Sequence, residues 1–205
     1  MRTSPMPIVV LISGNGSNLQ ALIDSQARGE LPVEIRVVIS NRSDAYGLVR
    51  ARKAGIETIV LSHRDFPSRE AYDAKLMELI DARQPELVVL AGFMRILSER
   101  FVNHYLGRLI NIHPSLLPAF RGLDTHERAL RAGVKEHGCS VHFVTPELDA
   151  GPIIIQARVP VLDGDTPSTL AARVQTQEHR IYPLAVKWIA EGRIPMRDDG
   201  VYKDG

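Results

Sequence analysis

The chain has few of the residues that stabilise secreted proteins or mark membrane proteins. Its single cysteine, Cys139, cannot form an intrachain disulfide, and a lone thiol in an apolar segment fits a reducing compartment. No apolar run approaches the ~20 residues that a membrane span requires. The opening segment, residues 1–7, is too short and too rich in proline for a signal peptide. These absences predict a cytoplasmic protein that has no membrane partner.

The sequence also lacks an excess of charge of either sign. Lys and Arg number 25 against 24 Asp and Glu, with no run of like charges, whereas a dedicated nucleic-acid binder carries a basic stripe. We therefore expect small-molecule substrates and no nucleic-acid partner. A length of 205 residues suits one domain over 1–205, with residues 1–7 and about 196–205 peripheral. The sequence leaves open whether the protein is a monomer or a homodimer.

What the chain does have is a regular alternation of β-branched apolar runs and helical patterns. Because several runs are continuously apolar, they are typical of strands covered on both faces. We predict an α/β fold, with an open, mainly parallel, twisted sheet and helices on both faces. Two strand-like segments in the C-terminal half are predicted to add antiparallel strands. The predicted strands are residues 8–12, 35–39, 58–61, 87–91, 109–113, 139–144 and 153–161.

Helix starts are visible at two places. Ser68 is predicted to cap one helix, and Thr166 followed by Pro167 is predicted to open the last one. A third, shorter helix is predicted over residues 125–132. In the last helix, the apolar spacing predicts that Leu170, Val174, Leu184 and Trp188 face inward.

A glycine turn, Ser-Gly-Asn-Gly-Ser-Asn at residues 13–18, joins the first strand to the first helix. Its glycines let the backbone approach a ligand, and the free amides of a helix start favour a phosphate. Leu19 stands where a dinucleotide fingerprint has its third glycine, so one phosphate monoester fits better than NAD. Alternatively, the turn is only a tight connection with Asn18 as helix cap. Its position at the carboxyl edge of the predicted sheet favours a ligand.

Residues 111–118, Asn-Ile-His-Pro-Ser-Leu-Leu-Pro, place two polar side chains at the end of a strand. Because side chains alternate across a strand, Asn111 and His113 project to one face and Ile112 to the other. The amide can stabilise an oxyanion and the imidazole can exchange a proton near neutral pH, as an acyl transfer between nitrogens requires. Asp149, in a turn-forming segment, is placed to orient the imidazole and to favour its charged form.

Each of these residues also has a plain structural interpretation. His113 could be a satisfied core histidine, Asn111 could fasten a loop, and Asp149 could simply form a turn. Their joint occurrence favours a catalytic site. Without a Gly-x-Ser-x-Gly or His-Glu-x-x-His motif, acyl-enzyme and metal mechanisms lose support, and we predict no metal. His126 and His179 could line a pocket, while the other histidines are interpreted as surface or core residues, namely His63, His104, His137 and His142.

Four segments together resemble the phosphoribosylglycinamide formyltransferase family, the folate-dependent GAR transformylases: residues 12–18, 90–97, 111–118 and 142–152. The resemblance implies a Rossmann-like formyltransferase fold. It also implies transfer of the formyl group of 10-formyltetrahydrofolate, a co-substrate, to the glycinamide amine of 5'-phosphoribosylglycinamide in de novo purine biosynthesis. The expected route is direct attack through a tetrahedral intermediate.

The resemblance also assigns residues to roles. Asn111, His113 and Asp149 carry over as catalytic. The nucleotide phosphate and ribose would be bound by Gly16, Ser17, Asn18 and Glu178. The folate would be bound by Arg69, Met94, Arg95, Ile96, Leu97, Asn111, Glu147, Leu148 and Asp149. From the residues alone, segment 94–97 is typical of ordinary core at a strand-to-helix turn. One departure lies at Asp124, where relatives often have histidine or another neutral residue.

Three rival functions remain. A formyltetrahydrofolate deformylase would use the same polar residues with water as the acceptor, but a phosphate-binding turn would have no purpose there. A methionyl-tRNA formyltransferase would be expected to have a further C-terminal domain and a basic surface. A nucleotide-sensing module without chemistry would have no need of Asn111, His113 and Asp149 together.

Overall fold

The computed structural model describes residues 2–195, so Met1 and the predicted peripheral tail at 196–205 lie outside the described residues. Its strands are β1 Met6–Ile12, β2 Val33–Ser40, β3 Thr58–Val60, β4 Leu87–Leu90, β5 Leu109–His113, β6 Glu136–Phe143 and β7 Ile153–Pro160. Its α-helices are α1 Ser17–Ala27, α2 Tyr46–Lys53, α3 Arg69–Asp81, α4 Glu99–His104, α5 Thr125–Ala132 and α6 Pro167–Ala190. A short 3-10 helix spans His63–Asp65.

All seven strands form one sheet in the order β3-β2-β1-β4-β5-β6-β7. Strands β1 to β5 are parallel, and β6 and β7 add antiparallel pairs, which confirms the predicted fold class. The chain leaves β1 toward β2 on one side and returns to β4 on the other, so the strand order reverses beside β1. In open α/β sheets, ligands bind at such a reversal, outside the carboxyl ends of the strands.

The core lies on both faces of the sheet. In β1, Ile8, Val10 and Ile12 pack into one apolar cluster, while Val9 and Leu11 pack into the other. Helices α1 and α6 cover the first face, and α3 and α4 cover the second. A continuous apolar run is therefore what a strand buried on both sides requires.

Side-chain caps begin two of the helices at the predicted residues. The hydroxyl of Ser68 accepts a hydrogen bond from the amide of Ala71 (3.1 Å), and that of Thr166 accepts one from the amide of Thr169 (3.2 Å). The Thr169 hydroxyl in turn accepts from the amide of Thr166 (2.9 Å). Each of these bonds satisfies a backbone donor that the first helical turn leaves unpaired.

Leu170 and Val174 are buried as predicted, but further along α6 the inward face differs from the prediction. Leu184 and Trp188 are only half-buried, and the fully packed face carries Ile181, Ala185 and Ile189. These three residues are spaced by four, so they continue one stripe of the helix. No helix within the described residues is long and apolar enough to cross a membrane.

Candidate active site

The carboxyl end of β5 presents two polar side chains on one face, as strand alternation predicts. Asn111 is paired across the sheet with His142, and His113 with Ser140. Ile112, between them, is buried in the apolar cluster on the opposite face. The apolar packing of Ile112 therefore holds the strand in a register that keeps Asn111 and His113 on the same side.

Asp149 comes back to this face from the loop that follows β6. Its Oδ2 lies 3.6 Å from Nδ1 of His113, and both side chains are more than nine-tenths buried. The same oxygen accepts a hydrogen bond from the amide of Gly122 (2.9 Å). Asp149 has a φ of 51°, the left-handed region that few non-glycine residues occupy. The structure thus brings together the three residues of the polar triad, Asn111, His113 and Asp149.

The other nitrogen of His113 contacts the backbone. Its Nε2 lies 2.9 Å from the carbonyl oxygen of Phe120, which can only accept a hydrogen bond, so Nε2 is the donor. This bond orients the ring and leaves Nδ1 facing Asp149. Sequence reasoning missed Phe120 because a backbone carbonyl has no side-chain signature.

His142 was interpreted as a surface or core residue, and it is a core residue that borders the triad. Its Nε2 lies 4.0 Å from Oδ1 of Asp149, and its Nδ1 lies 3.0 Å from the carbonyl of Phe143. Burial lowers the pKa of His142, while the Phe143 carbonyl and Asp149 oppose that shift. The register that pairs residue 142 with Asn111 exists only in the folded sheet, so no pattern in the sequence identifies His142 as a neighbour of the triad.

Two further histidines, His126 and His137, form a pair beside Phe120. Nδ1 of His126 is 3.1 Å from Nε2 of His137, and the ring of Phe120 packs edge-on against His137. Burial, together with the charges of His126 and His113, lowers the pKa of His137 to about 4. Burial and His113 lower the pKa of His126 as well. The neutral forms of both imidazoles are therefore favoured.

The glycine turn has the geometry of an anion site. Gly16 has a φ of 78° and precedes Ser17, the first residue of α1, whose amide belongs to the unpaired first turn. A Cβ on Gly16 would lie 2.6 Å from Cα of Gly47 in α2, so only glycine fits. Arg50 donates to the backbone and side-chain oxygens of Asn15, both at 2.8 Å, and so supports the turn.

Asn18 joins the turn to the last helix. Because Gly16 occupies the cap position of α1, the alternative that Asn18 caps this helix is wrong. Instead, its amide donates to Oε1 of Glu178 at 3.1 Å. Glu178 is buried, which raises the pKa of its carboxyl, and the Asn18 bond only partly offsets this. Asn18 and Glu178, which are expected to bind the nucleotide and come from opposite ends of the chain, therefore lie together.

The segment after β4 is more exposed than core packing would allow. Met94 and Ile96 are 72% and 69% exposed, so the interpretation of residues 94–97 as ordinary core is wrong for these two, while Leu97 packs against the core. The amide of Met94 donates to Oγ of Ser13 (2.8 Å), which ties the segment to the glycine turn. Exposed apolar side chains beside a polar site are typical of a binding surface.

The remaining folate candidates lie near this segment or on the Asp149 loop. The Arg95 guanidinium stacks over the ring of Tyr72 (4.3 Å), one turn along α3 from the exposed Arg69. Leu148 is 62% exposed, and Glu147 forms an ion pair with Arg121 (3.4 Å).

Neither metal catalysis nor nucleophilic catalysis by cysteine finds much support at the site. Within residues 2–195, no group of three or more His, Cys, Asp or Glu side chains is arranged to hold a metal ion. Burial, with Glu178 as a second cause, raises the pKa of the Cys139 thiol to about 12. This thiol therefore stays protonated and is a poor nucleophile.

Comparison with known proteins identifies the family. Residues 6–186 match the formyl transferase family model. The chain is 59% identical over 200 residues to phosphoribosylglycinamide formyltransferase of Escherichia coli K12, covering 98% of this chain and 94% of that protein. It belongs to the phosphoribosylglycinamide formyltransferase family. Among other family members, the Haemophilus influenzae enzyme is 46% identical over 198 residues, covering 97% and 93% of the two chains.

Solved structures of the family agree in fold. The phosphoribosylglycinamide formyltransferase of Coxiella burnetii superposes with a TM-score of 0.93 at 57% identity, covering 98% of this chain and 95% of that one. The family, the fold class and the enzyme class predicted from the sequence are therefore confirmed.

Proposed function

We propose that this protein transfers the formyl group of 10-formyltetrahydrofolate to the glycinamide amine of 5'-phosphoribosylglycinamide, a step of de novo purine biosynthesis. The observation that carries the proposal is the convergence of His113 and Asp149, at 3.6 Å, at the end of β5, which only β4 separates from β1, the strand that leads into the glycine turn. The relatives named above carry this activity in their names.

The nucleotide would bind at the glycine turn. Its phosphate would accept hydrogen bonds from the start of α1, at Gly16, Ser17 and Asn18, where the helix dipole also favours an anion. Glu178, which already accepts from Asn18, would face the ribose or the glycinamide. This arrangement would direct the amine toward β5.

The folate would bind on the other side of the triad. Arg69 offers a cation for its carboxylates, residues 94–97 offer apolar surface and backbone groups, and residues 147–149 border the opposite side. Asn111 and Asp149 would then contact both the folate and the reacting atoms. No metal is needed in this scheme.

In the reaction, the glycinamide nitrogen attacks the formyl carbon and forms a tetrahedral intermediate. Asn111 and the charged His113 donate hydrogen bonds to its oxyanion, and one such donor typically contributes ~10²- to 10³-fold in rate. The bond from carbon to the folate nitrogen then breaks, as His113 passes a proton from the attacking nitrogen to the departing one. Asp149 holds the His113 ring in place and stabilises its positive charge.

The partners and location follow from the same proposal. We propose small-molecule substrates, no nucleic-acid partner, no membrane partner and a cytoplasmic location, in keeping with the balanced charge and the single buried cysteine. The oligomeric state stays a choice between monomer and homodimer.

A spectrophotometric assay of folate deformylation tests the reaction. The purified protein is incubated with 10-formyltetrahydrofolate in the presence and absence of glycinamide ribonucleotide. Transfer predicts tetrahydrofolate formation only when the nucleotide is present. Equal rates without the nucleotide would instead establish a hydrolase and overturn the proposal.

A further inference from the structure

A row of three side chains crosses the antiparallel part of the sheet. His113 on β5 is paired with Ser140 on β6, and Ser140 is paired with Gln156 on β7. Ser140 is fully buried, and Gln156 is half-buried on the strand at the end of the sheet. His113 is thus linked by register to two polar residues outside the triad.

Ser140 and Gln156 hold the segment that follows the catalytic strand. The Ser140 hydroxyl donates to the carbonyl of Ser115 (2.7 Å) and accepts from the amide of Leu117 (3.1 Å) and from Nε2 of Gln156 (2.9 Å). Gln156 also donates to the carbonyl of Leu117 (2.8 Å). A hydroxyl has one donor and two acceptor positions, so that of Ser140 is saturated. The Ser115 hydroxyl donates to the carbonyl of Ala119 (2.6 Å).

The next residue, Phe120, contacts the catalytic imidazole. Its φ is 53°, in the left-handed region that L-residues other than glycine rarely occupy. Such a conformation persists only where the surroundings determine it. The hydrogen bonds to residues 115–119 hold the chain before Phe120, and Arg128, which packs over the Phe120 ring and donates to the carbonyl of Arg121 (2.6 Å), holds the chain after it. The Phe120 carbonyl accepts from Nε2 of His113.

We propose that Gln156 and Ser140 are positioning residues for the transfer. They hold residues 115–119 so that the Phe120 carbonyl keeps the proton on Nε2 of His113 and presents Nδ1 to Asp149 and the reacting atoms. The inference rests on the proposed catalytic role of His113. It adds two residues outside the triad, a glutamine on the edge strand and a buried serine.

Gln156→Met tests this inference because it keeps the length of the side chain and removes both of its donated hydrogen bonds. We expect kcat to fall about 10- to 100-fold, the scale of a small misplacement of a reacting group, with the nucleotide KM unchanged. Gln26→Met is the matched control, since Nε2 of Gln26 also donates to a backbone carbonyl, that of Val33 (3.1 Å), away from the triad. The control should keep its kcat.

NMR of the imidazole nitrogens separates positioning from general destabilisation. At a pH that keeps the imidazole neutral, the single ring proton of His113 should reside on Nε2 in the free wild-type enzyme, and in Gln156→Met it should distribute over both nitrogens. Thermal unfolding, followed for both variants, identifies the folded fraction. An unchanged His113 spectrum with unchanged kcat would overturn the inference, as would an equal loss of kcat in the control.

The NMR result is also independent of the proposed function. Because the spectrum is recorded without substrates, a changed tautomer in Gln156→Met supports the positioning of His113 even before any reaction is measured. If wild-type enzyme fails to transfer the formyl group, the proposed function is wrong. If the wild-type enzyme transfers the formyl group but the His113 tautomer is the same in Gln156→Met as in the wild type, only the positioning role is wrong.

Discussion

The glycine turn and the polar triad lie on neighbouring parts of one sheet but are stabilised in different ways. In the turn, the left-handed residue is Gly16, and its tight contact with Gly47 is possible because neither has a Cβ. At the triad, the left-handed residues are Phe120 and Asp149, which hydrogen bonds from distant strands and loops hold in place. The turn is therefore shaped by residue type, and the triad by tertiary contacts.

This difference has a functional counterpart. The turn presents backbone amides, whose position depends on the backbone, so changes there should act on nucleotide binding. In the proposed function, the side chains of the triad would exchange protons or hold an oxyanion, so changes there should act on turnover. Substitutions that separate KM from kcat test the comparison directly.

The largest expected effect is at His113. His113→Ala should lower kcat by ~10²- to 10⁴-fold, the usual contribution of a positioned acid or base, with little change in nucleotide KM. Steady-state kinetics at saturating folate measure both quantities. His63→Ala, a change at an exposed histidine of the 3-10 helix, is the control. Near-normal turnover of His113→Ala would remove this residue from the mechanism.

Gly16→Ala tests the glycine turn and should act on nucleotide binding. The new Cβ would meet Cα of Gly47 at 2.6 Å in a left-handed conformation, so the amides at the start of α1 would move. Loss of one bond to a charged group corresponds to a rise of about 10- to 100-fold in nucleotide KM.

Gly14→Ala is the matched substitution for Gly16→Ala. A Cβ on Gly14 meets nothing within 4 Å, so its effect on nucleotide KM should be much smaller. Similar KM values for the two variants would show that backbone approach does not shape the turn.

Glu178→Gln should weaken nucleotide binding and stabilise the fold. The lost charge should raise nucleotide KM about 10-fold. Burial raises the pKa of Glu178, so the folded state binds its proton more tightly than the unfolded state does. The stabilisation that this carboxyl provides is complete at pH values below its ordinary pKa of 4.5. It is lost as the pH rises through the raised pKa of the folded state. The neutral Gln side chain does not lose stability in this way, so the Tm of Glu178→Gln should exceed that of the wild type at neutral pH.

The difference in Tm between Glu178→Gln and the wild type should then narrow on acidification. Thermal unfolding over a pH series measures it, and kinetics on the same samples measure KM. A variant less stable than the wild type at neutral pH would show that the charged carboxylate is well satisfied in the free protein.

The smallest effect is expected at His137. Its pKa is about 4, below the ordinary 6.5, so between pH 4 and pH 6.5 the unfolded state binds more protons than the folded state does. The stability that the neutral imidazole provides is therefore lost as the pH falls from 6.5 toward 4. His137→Gln keeps a partner for His126 and should reduce this acid sensitivity.

Urea unfolding of the wild type and His137→Gln, at neutral pH and at about pH 5, measures the change in acid sensitivity. His63→Gln, at an exposed position, should match the wild type. Equal pH dependence in all three proteins would contradict the assignment of this sensitivity to the buried histidine pair.

Much of the fold was predictable because its signals are local. Continuous apolar runs predicted the strands, and the parity of β5 placed Asn111 and His113 on one face. In contrast, Ile181 and Ala185 were missed as the buried stripe of α6, because several spacings of apolar residues fit one long amphipathic helix. The exposure of Met94 and Ile96 was also missed, since an apolar run after a strand ordinarily predicts burial.

By itself, the sequence determined the strands, the helix caps and the glycine turn, because each depends on residues a few positions apart and on the conformations that their side chains permit. Only the tertiary structure decided which histidine borders Asp149, that a carbonyl of Phe120 orients His113, and that Gln156 contacts the loop beyond β5. The His113–Asp149 and Gln156–Leu117 contacts join residues far apart in the chain, and the other two each close a loop between residues that no periodic pattern relates. Their geometry arises from packing and loop closure, which leave no periodic pattern in the sequence.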